Sequence, residues 1–554
     1  MIATAFGNFG ETLARSRLAS LCAIAIVALA CFLPGFVTMP LIDGDEPSTV
    51  VAAHEMVATG DYAAVRLQTA NAEWRPRGAY WIEAFAASLA GRDPPVWVYR
   101  LPSLAAAVAA TLLTWWLAMA FGSPRAALLA GLFAAGSGIV GLEARLATPD
   151  AILLAATTLA AGALARVWLD RDRRASDYAA ALFWTGIGIG ILAKGIVAPA
   201  MAMAAVAILS FERGDMRWLA RLRPAVGLIW VFLIISPWLI AVALALLQGG
   251  AGEGPSAEFL TQIGVPFEIA APPGSYTLIL PLLAGPAVTF IFAAFSWYLA
   301  EFRRPAVFFA LAWAGPLWLA AELITAKQPQ AILPAIPAIA LLAAVAIDAR
   351  ATRIRGRISW FYSLGPAIWP PFLAVVVPAA FVYFEGRFPW PAFAAFAVAA
   401  VLGPVTWVWL RRSALTASAL LSVVTVAFIY LGFFGLFVPG LTGLRLGERV
   451  AEAARTASPC RSPVFAGTGY PEESLVFALG SETRLVGAWS AADFLNSAGC
   501  RIAVVDTSQL PSFRQRAEDL GLDIRDRGRV SGFNLRKMRL VDLHLFTAAS
   551  VSNE

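Results

Sequence analysis

The run Ala19–Met39, ASLCAIAIVALACFLPGFVTM, carries no charged side chain and leads at once into Leu41-Ile42-Asp43-Gly44-Asp45-Glu46-Pro47. An apolar stretch of about 20 residues covers the roughly 30 Å of a bilayer's hydrocarbon. It has no A-x-A end, so it reads as a retained span and not as a cleaved leader. Three carboxylates within four positions are costly at a membrane boundary unless they are solvated, paired or used. This junction therefore reads as a membrane span opening onto a polar loop that carries chemistry.

Composition extends that reading to the whole chain. Of 554 residues, 59% are hydrophobic and 14% charged, against about 25% charged in soluble proteins. So few charges cannot clothe several soluble domains, which excludes a soluble enzyme, a disordered chain and a nucleic-acid binder. Apolar segments recur near 19–39, 100–121, 126–142, 150–167, 178–193, 195–211, 224–247, 277–299, 306–324, 331–348, 361–383, 391–410 and 414–438. They predict an α-helical polytopic membrane protein of about 13 spans. No fixed-period repeat is visible, which argues against the repeat-built transporter folds.

Orientation follows from the arginines and lysines. With the N-terminus cytoplasmic, every inside loop is basic, as in Arg171-Asp172-Arg173-Arg174 and Arg353-Ile354-Arg355-Gly356-Arg357. The short outside loops hold only Arg145, Lys194, Lys327 and Arg387. An odd number of spans places the C-terminus outside. The domain organisation predicted is a transmembrane domain over 1–439, including an outer loop over 40–99, and an outer α/β domain over 440–554. In that tail Pro463–Thr468, Thr483–Val486 and Arg501–Asp506 read as strands. Glu472–Leu479, Ala491–Ser497 and Phe513–Leu520 read as helices, and this alternation predicts a mostly parallel sheet. Two β-rich runs, Val530–Leu535 and Met538–Phe546, close the chain. Cys460 and Cys500 lie in the tail, either as a disulfide in an oxidising compartment or as two separate thiols.

The first outer loop is the most informative segment. Thr49–Thr59 and Gly78–Leu89 read as amphipathic helices lying in the interface plane. Between them Trp74-Arg75-Pro76-Arg77-Gly78 puts two arginines on a turn. Other outer turns repeat the theme with Glu143-Ala144-Arg145-Leu146-Ala147-Thr148-Pro149-Asp150, Lys194-Gly195 and Lys327-Gln328-Pro329-Gln330. The positive-inside bias disfavours these cations, and a phosphate held by Arg forks and a Lys point charge would account for them. Singly, each is also explained as a snorkelling interfacial cation. Jointly, with the acids, they suit an enzyme acting on an anionic, lipid-linked substrate. His54 and His544 form no metal-ligand set with Cys or carboxylates. The Gly186-x-Gly188-x-Gly190 run lies inside a span and reads as helix packing.

Taken in order, these motifs resemble the GT-C glycosyltransferases of the protein mannosyltransferase type, and most the branch of the lipid A aminoarabinose transferases. The residues that carry the likeness are Asp45-Glu46, His54-Glu55-Met56, Gly60-Asp61-Tyr62, Arg75-Pro76, Tyr80-Trp81, Arg100-Leu101-Pro102-Ser103, Arg145 to Asp150, Leu192-Ala193-Lys194-Gly195, Ser236-Pro237-Trp238, Lys327 to Pro337, and Gly469-Tyr470. Departures fall on substrate-contacting loops. Pro47 follows Asp45-Glu46 where an Arg is usual, Trp74 replaces an acid, Arg75-Pro76-Arg77 replaces Lys-Pro-Pro, and Ala331 replaces a Tyr. They point to a sugar or acceptor other than aminoarabinose and lipid A.

The resemblance implies an inverting glycosyltransferase of the bacterial inner membrane, acting on the periplasmic side. Its donor would be a polyprenyl-phosphate sugar and its acceptor a lipid or envelope glycan of the lipid A or lipopolysaccharide kind. Asp45, with Glu46 and then Asp150, is the expected catalytic set. Arg75, Arg145, Lys194 and Lys327 are the expected lipid-phosphate ligands, with Tyr80, Trp81 and Gln330 as further substrate contacts. No cofactor is certain, a divalent metal stays open, and a monomer among membrane lipids is expected. The competing readings are a flippase for a lipid-linked sugar and a non-catalytic envelope assembly protein.

Overall fold

The computed structural model describes residues 2–62, 78–91, 93–170, 176–247, 269–352, 356–458, 460, 462–535 and 539–548. The chain divides into two compact units. The first is Met1–Thr38, Pro76–Ala79 and Arg100–Val438; the second is Met39–Arg75, Tyr80–Tyr99 and Pro439–Glu554. Most of the first outer loop thus groups with the C-terminal part.

The first unit is helical. Among the described residues eight helices are long and apolar enough to cross a membrane, and a ninth span results if the bent pair Ile2–Arg15 and Arg17–Phe32, angled by 117°, is counted as one. The thirteen expected segments are helical, but several are not single rods. Helix Arg17–Phe32 stops short of Met39 because Pro34 and Gly35 follow. Gly35 has φ +80°, and a Cβ there would lie 2.0 Å from the Phe434 carbonyl oxygen. Segment 126–142 is split into Pro124–Ala135 and Gly138–Glu143. Segment 277–299 is split into Ser275–Ala284, Ala287–Ala293 and Phe295–Ala300, with Gly285-Pro286 at the first break. These broken pieces pack backbone to backbone. A Cβ on Gly138 would stand 2.1 Å from the Leu282 oxygen, and Ser137 Oγ donates to the Leu283 carbonyl at 2.8 Å. Ile2–Arg15, an amphipathic helix ahead of the first span, was not foreseen.

The Gly186-x-Gly188-x-Gly190 run packs as expected, on three sides of helix Ser176–Lys194. A Cβ at Gly186 would meet the Ala156 oxygen at 2.5 Å, at Gly188 the Ile234 side chain at 2.9 Å, and at Gly190 the Ala198 Cβ at 2.4 Å. Small residues here let three helices approach closely, which is how helices associate in lipid, where water supplies no driving force between them.

The second unit holds a five-stranded sheet. Its strands are β3 (Val464–Thr468), β4 (Arg484–Leu485), β5 (Arg501–Asp506), β6 (Ile524–Asn534) and β7 (Arg539–Ala548), numbered after a two-residue ladder in the first unit, β1 (Ile269–Ala270) with β2 (Ala326–Lys327). The order is β4-β3-β5-β7-β6. β3, β4 and β5 are parallel, but β7 runs antiparallel to both β5 and β6. The expectation of a mostly parallel sheet thus holds for one half. The closing pair is sequence-adjacent, and a short connection permits only antiparallel pairing.

Both faces of the sheet are covered. Phe465, Ile502, Val504, Leu543 and Leu545 pack with Leu446, Val450, Ala454 and Leu475 on one side. Ala466, Ala503, Val505 and Phe546 pack with Ala491, Leu495, Phe513 and Ala517 on the other. The period-2 alternation of the strands assigns these faces. Helix Leu446–Ala457, missed in the sequence, buries Leu446, Val450 and Ala454 at a spacing of four. Edge strand β6 exposes Arg525, Asp526, Arg527 and Arg529 and has a register shift between Asp526 and Gly528. Cys460 and Cys500 are joined as a disulfide, with Cα atoms 6.3 Å apart.

Candidate active site

In the first unit the turn 143–150 is built by its own side chains. Thr148 Oγ1 donates to Glu143 Oε2 at 2.7 Å, and Ser103 Oγ donates to the Thr148 carbonyl at 3.1 Å. That turn delivers Asp150 to the first position of helix Asp150–Leu169. Lys194 is the last residue of helix Ser176–Lys194. Each charge thus sits at the helix end whose dipole favours it. Lys194 Nζ reaches Asp150 Oδ1 at 2.6 Å, with Asp150 almost buried and a quarter of the Lys194 side chain still exposed. Of the expected phosphate ligands, Lys194 combines a polar counter-ion with an open side.

Arg145 and Lys327 are placed differently. Arg145 is fully buried. It donates through Nε to the Pro34 carbonyl at 2.8 Å and through its other nitrogens to the carbonyls of Gly141 and Cys31, while its guanidinium lies over the Phe434 ring at 4.2 Å. Lys327 is also buried. Its ammonium donates to the Ala321 and Glu322 carbonyls, both at 2.7 Å, lies 3.8 Å from Glu322 Oε2, and stands over the Tyr276 ring. Glu322 in turn accepts from the Gly274 and Thr277 amides, each at 2.8 Å. Both cations therefore satisfy carbonyls where helices are broken or end. Gln330 is half-buried in the 3-10 turn Pro329–Ala335.

In the second unit Gly44, with φ +146°, precedes helix Asp45–Thr59, and Asp45 and Glu46 occupy its first turn. Ser48 Oγ and Thr49 Oγ1 close that turn on the Asp45 carbonyl. Glu46 is buried, as are Tyr80 and Glu83 on helix Gly78–Ser88. Trp81 Nε1 donates to the Tyr62 carbonyl at 2.9 Å. His54 Nδ1 lies 3.1 Å from the Tyr99 hydroxyl and packs edge-on against Phe477, a structural role. Arg75 lies outside the described residues.

Glu83 was missed. It is wholly buried, and neither carboxylate oxygen has a hydrogen-bond partner among the described residues. Burial, then the nearby Glu46 charge, push its carboxyl well above the usual range. A charged residue in an otherwise aromatic and apolar helix was the signal available. Among the described residues no three His, Cys, Asp or Glu side chains group to hold a metal ion.

These features have relatives. Residues 75–240 match the profile of the family described as dolichyl-phosphate-mannose-protein mannosyltransferase. The structure resembles that of ArnT from Cupriavidus metallidurans in the apo state, at 18% identity, over 95% of this chain and 97% of that one, with a TM-score of 0.72. It matches the same protein bound to undecaprenyl phosphate at 18% identity, over 97% and 100%, with a TM-score of 0.74. The chain shares the GT-C fold of these structures. A more distant likeness links the chain to the archaeal oligosaccharyltransferase AglB from Archaeoglobus fulgidus, solved with an inhibitory peptide and a dolichol-phosphate. There the identity is 10%, over 88% of this chain and 69% of that one, with a TM-score of 0.51. Among curated protein sequences the chain has no match.

Proposed function

We propose that the enzyme moves a sugar from a polyprenyl-phosphate donor to a lipid or envelope-glycan acceptor, on the periplasmic side of a bacterial inner membrane and with inversion at the anomeric carbon. The observation that carries this reading is Lys194. Its side chain is a quarter exposed and its ammonium is held 2.6 Å from Asp150, in a fold shared with a protein solved with undecaprenyl phosphate. In the reaction the acceptor oxygen bonds to the anomeric carbon while the bond from that carbon to the phosphate oxygen breaks. The Lys194 ammonium neutralises the departing phosphate, a stabilisation made where charge develops. Asp45 takes the acceptor proton as general base, with Glu46 beside it in the same helical turn. Asp150 orients Lys194. Arg75 remains a phosphate ligand in this reading, and Tyr80, Trp81 and Gln330 remain substrate contacts. Arg145 and Lys327 are assigned to the scaffold.

The test is sugar transfer from a synthetic polyprenyl-phosphate sugar by purified enzyme in lipid. Lys194→Ala should raise KM for the donor at least tenfold and lower kcat. Asp45→Asn should abolish turnover while donor binding persists. Wild-type transfer by Asp45→Asn would remove Asp45 as base, and an unchanged donor KM in Lys194→Ala would remove the phosphate role. Mass spectrometry of lipid A and envelope glycans in a deletion strain then identifies sugar and acceptor.

A further inference from the structure

The α/β part of the second unit has the layout of a ligand-binding sheet, and the place where such a sheet takes its ligand is filled by the chain itself. From β3 the chain passes through helix Glu473–Leu479 to β4 on one side, then through helix Ala488–Asn496 to β5 on the other. The strand order reverses at β3. In open α/β sheets ligands bind outside the carboxyl ends of the strands at such a reversal.

The chain leaving β3 at this end is Gly469-Tyr470, and the residue ending β5 is Asp506. The two strand ends are packed together. Gly469 has φ +79°, and a Cβ there would lie 2.6 Å from Asp506 Cβ. Arg539 donates to the Gly469 carbonyl and to Asp506 Oδ2, both at 3.4 Å. What Tyr470 holds is Asp43 of the acidic turn. The Tyr470 hydroxyl donates to Asp43 Oδ2 at 2.5 Å, and Ser474 Oγ donates to Asp43 Oδ1. Both oxygens of one carboxylate are thus gripped by two hydroxyls of one loop-helix element. Tyr470 is buried; burial, then the Asp43 charge, hold its phenol well above the usual range, so it stays a donor at every physiological pH. Charge-assisted bonds of this kind are roughly twice as strong as neutral ones.

We propose that Tyr470 and Ser474 are positioning residues for glycosyl transfer, fixing Asp43 and through it the backbone that presents Asp45 and Glu46. Asp43 stands two residues from Asp45, with only Gly44, at φ +146°, between them. That glycine leaves the turn free to pivot unless its far end is clamped. The inference rests on the proposed role of Asp45 and deepens it by assigning the α/β domain to the reaction. A displacement of about 1 Å at a catalytic group costs on the order of a hundredfold in rate.

The full-length enzyme tests this with Tyr470→Phe, Ser474→Ala, their double variant and Ser474→Thr, beside Asp45→Asn. Each is assayed for kcat, donor KM, pH-rate profile and thermal midpoint. The double variant should lose at least tenfold in kcat with donor KM within twofold, and the acid limb of its pH profile should move. Ser474→Thr, which keeps the hydroxyl, should restore most of the Ser474→Ala loss. If the double variant does not fold, Tyr470→Phe alone decides, with kcat lowered severalfold. A kcat within twofold of wild type and an unmoved pH profile overturn the inference. If that occurs while Asp45→Asn is inactive, positioning alone fails and the base assignment stands. If Asp45→Asn is active, the base assignment is the one that fails.

Discussion

The sequence offers Asp150 as the second candidate for the general base, and its ion pair with Lys194 at 2.6 Å supports the orienting role proposed for it. Removing one partner of a nearly buried pair leaves the other uncompensated. Lys194→Met should therefore cost about 1–2 kcal/mol, less than a fully buried pair because part of Lys194 meets solvent. Adding Asp150→Asn should restore most of that stability without restoring activity. A thermal-melt and turnover cycle over the four forms checks both, and recovered turnover in the double variant would exclude Lys194 from phosphate binding. Glu83 gives a pH prediction. Below about pH 4.5, its ordinary value, the residue is protonated whether the chain is folded or not. Above it the unfolded chain ionises while the buried carboxyl keeps its proton, so stability falls as pH rises towards the raised folded value. Glu83→Gln cannot titrate and should flatten the melting temperature against pH over this window; an unchanged slope would show that Glu83 is ionised in the fold. Neither pairing nor burial of these groups was legible in the sequence. Both depend on which turns meet, and residue type alone could not separate Lys194 from Arg145 or Lys327.

At the scale of elements, local pattern was informative where it is periodic. Four of the five tail strands lie within a residue or two of the expected runs, since alternation and flanking polar residues mark them, while β6 begins at Ile524, six residues before Val530. Helix Asp45–Thr59 and helix Gly78–Ser88 were placed for the same kind of reason. Span continuity was not legible, because hydropathy counts apolar length and is blind to a break such as Gly285-Pro286. The order β5-β7-β6 also escaped, since strand order is settled by non-local pairing. The glycine run of helix Ser176–Lys194 was legible, and it yields a prediction. Gly186→Leu forces a side chain into the Ala156 carbonyl, 2.5 Å from the added Cβ, and overpacking of this kind costs about 1–3 kcal/mol or more. The variant should lower the thermal midpoint in detergent and the yield of folded enzyme. Full stability would mean that the helices separate at no cost.

At the scale of the whole molecule, the basic loops lead us to propose that the N-terminus is cytoplasmic and the charge-rich C-terminal part lies outside. A reporter fused after Glu554 should be active only if it is exported; activity confined to a cytoplasmic reporter would invert the proposed topology. The Cys460–Cys500 bridge has a sequence separation of 40, so cross-linking should stabilise the domain by about 3–4 kcal/mol through the unfolded chain. Cys500→Ser, or reduction, should lower the unfolding free energy of the C-terminal domain by that amount; equal stability with and without reductant would mean two thiols. One more consequence follows from the edge strand β6. Its outer backbone would be an open template for another chain, yet Arg525, Asp526, Arg527 and Arg529 and the shift between Asp526 and Gly528 blunt it, as edge charges and bulges do in natural sheets. An enzyme confined to two dimensions meets its own copies far more often than a soluble one. The same blunted edge keeps crowded neighbours from zipping together into fibrils.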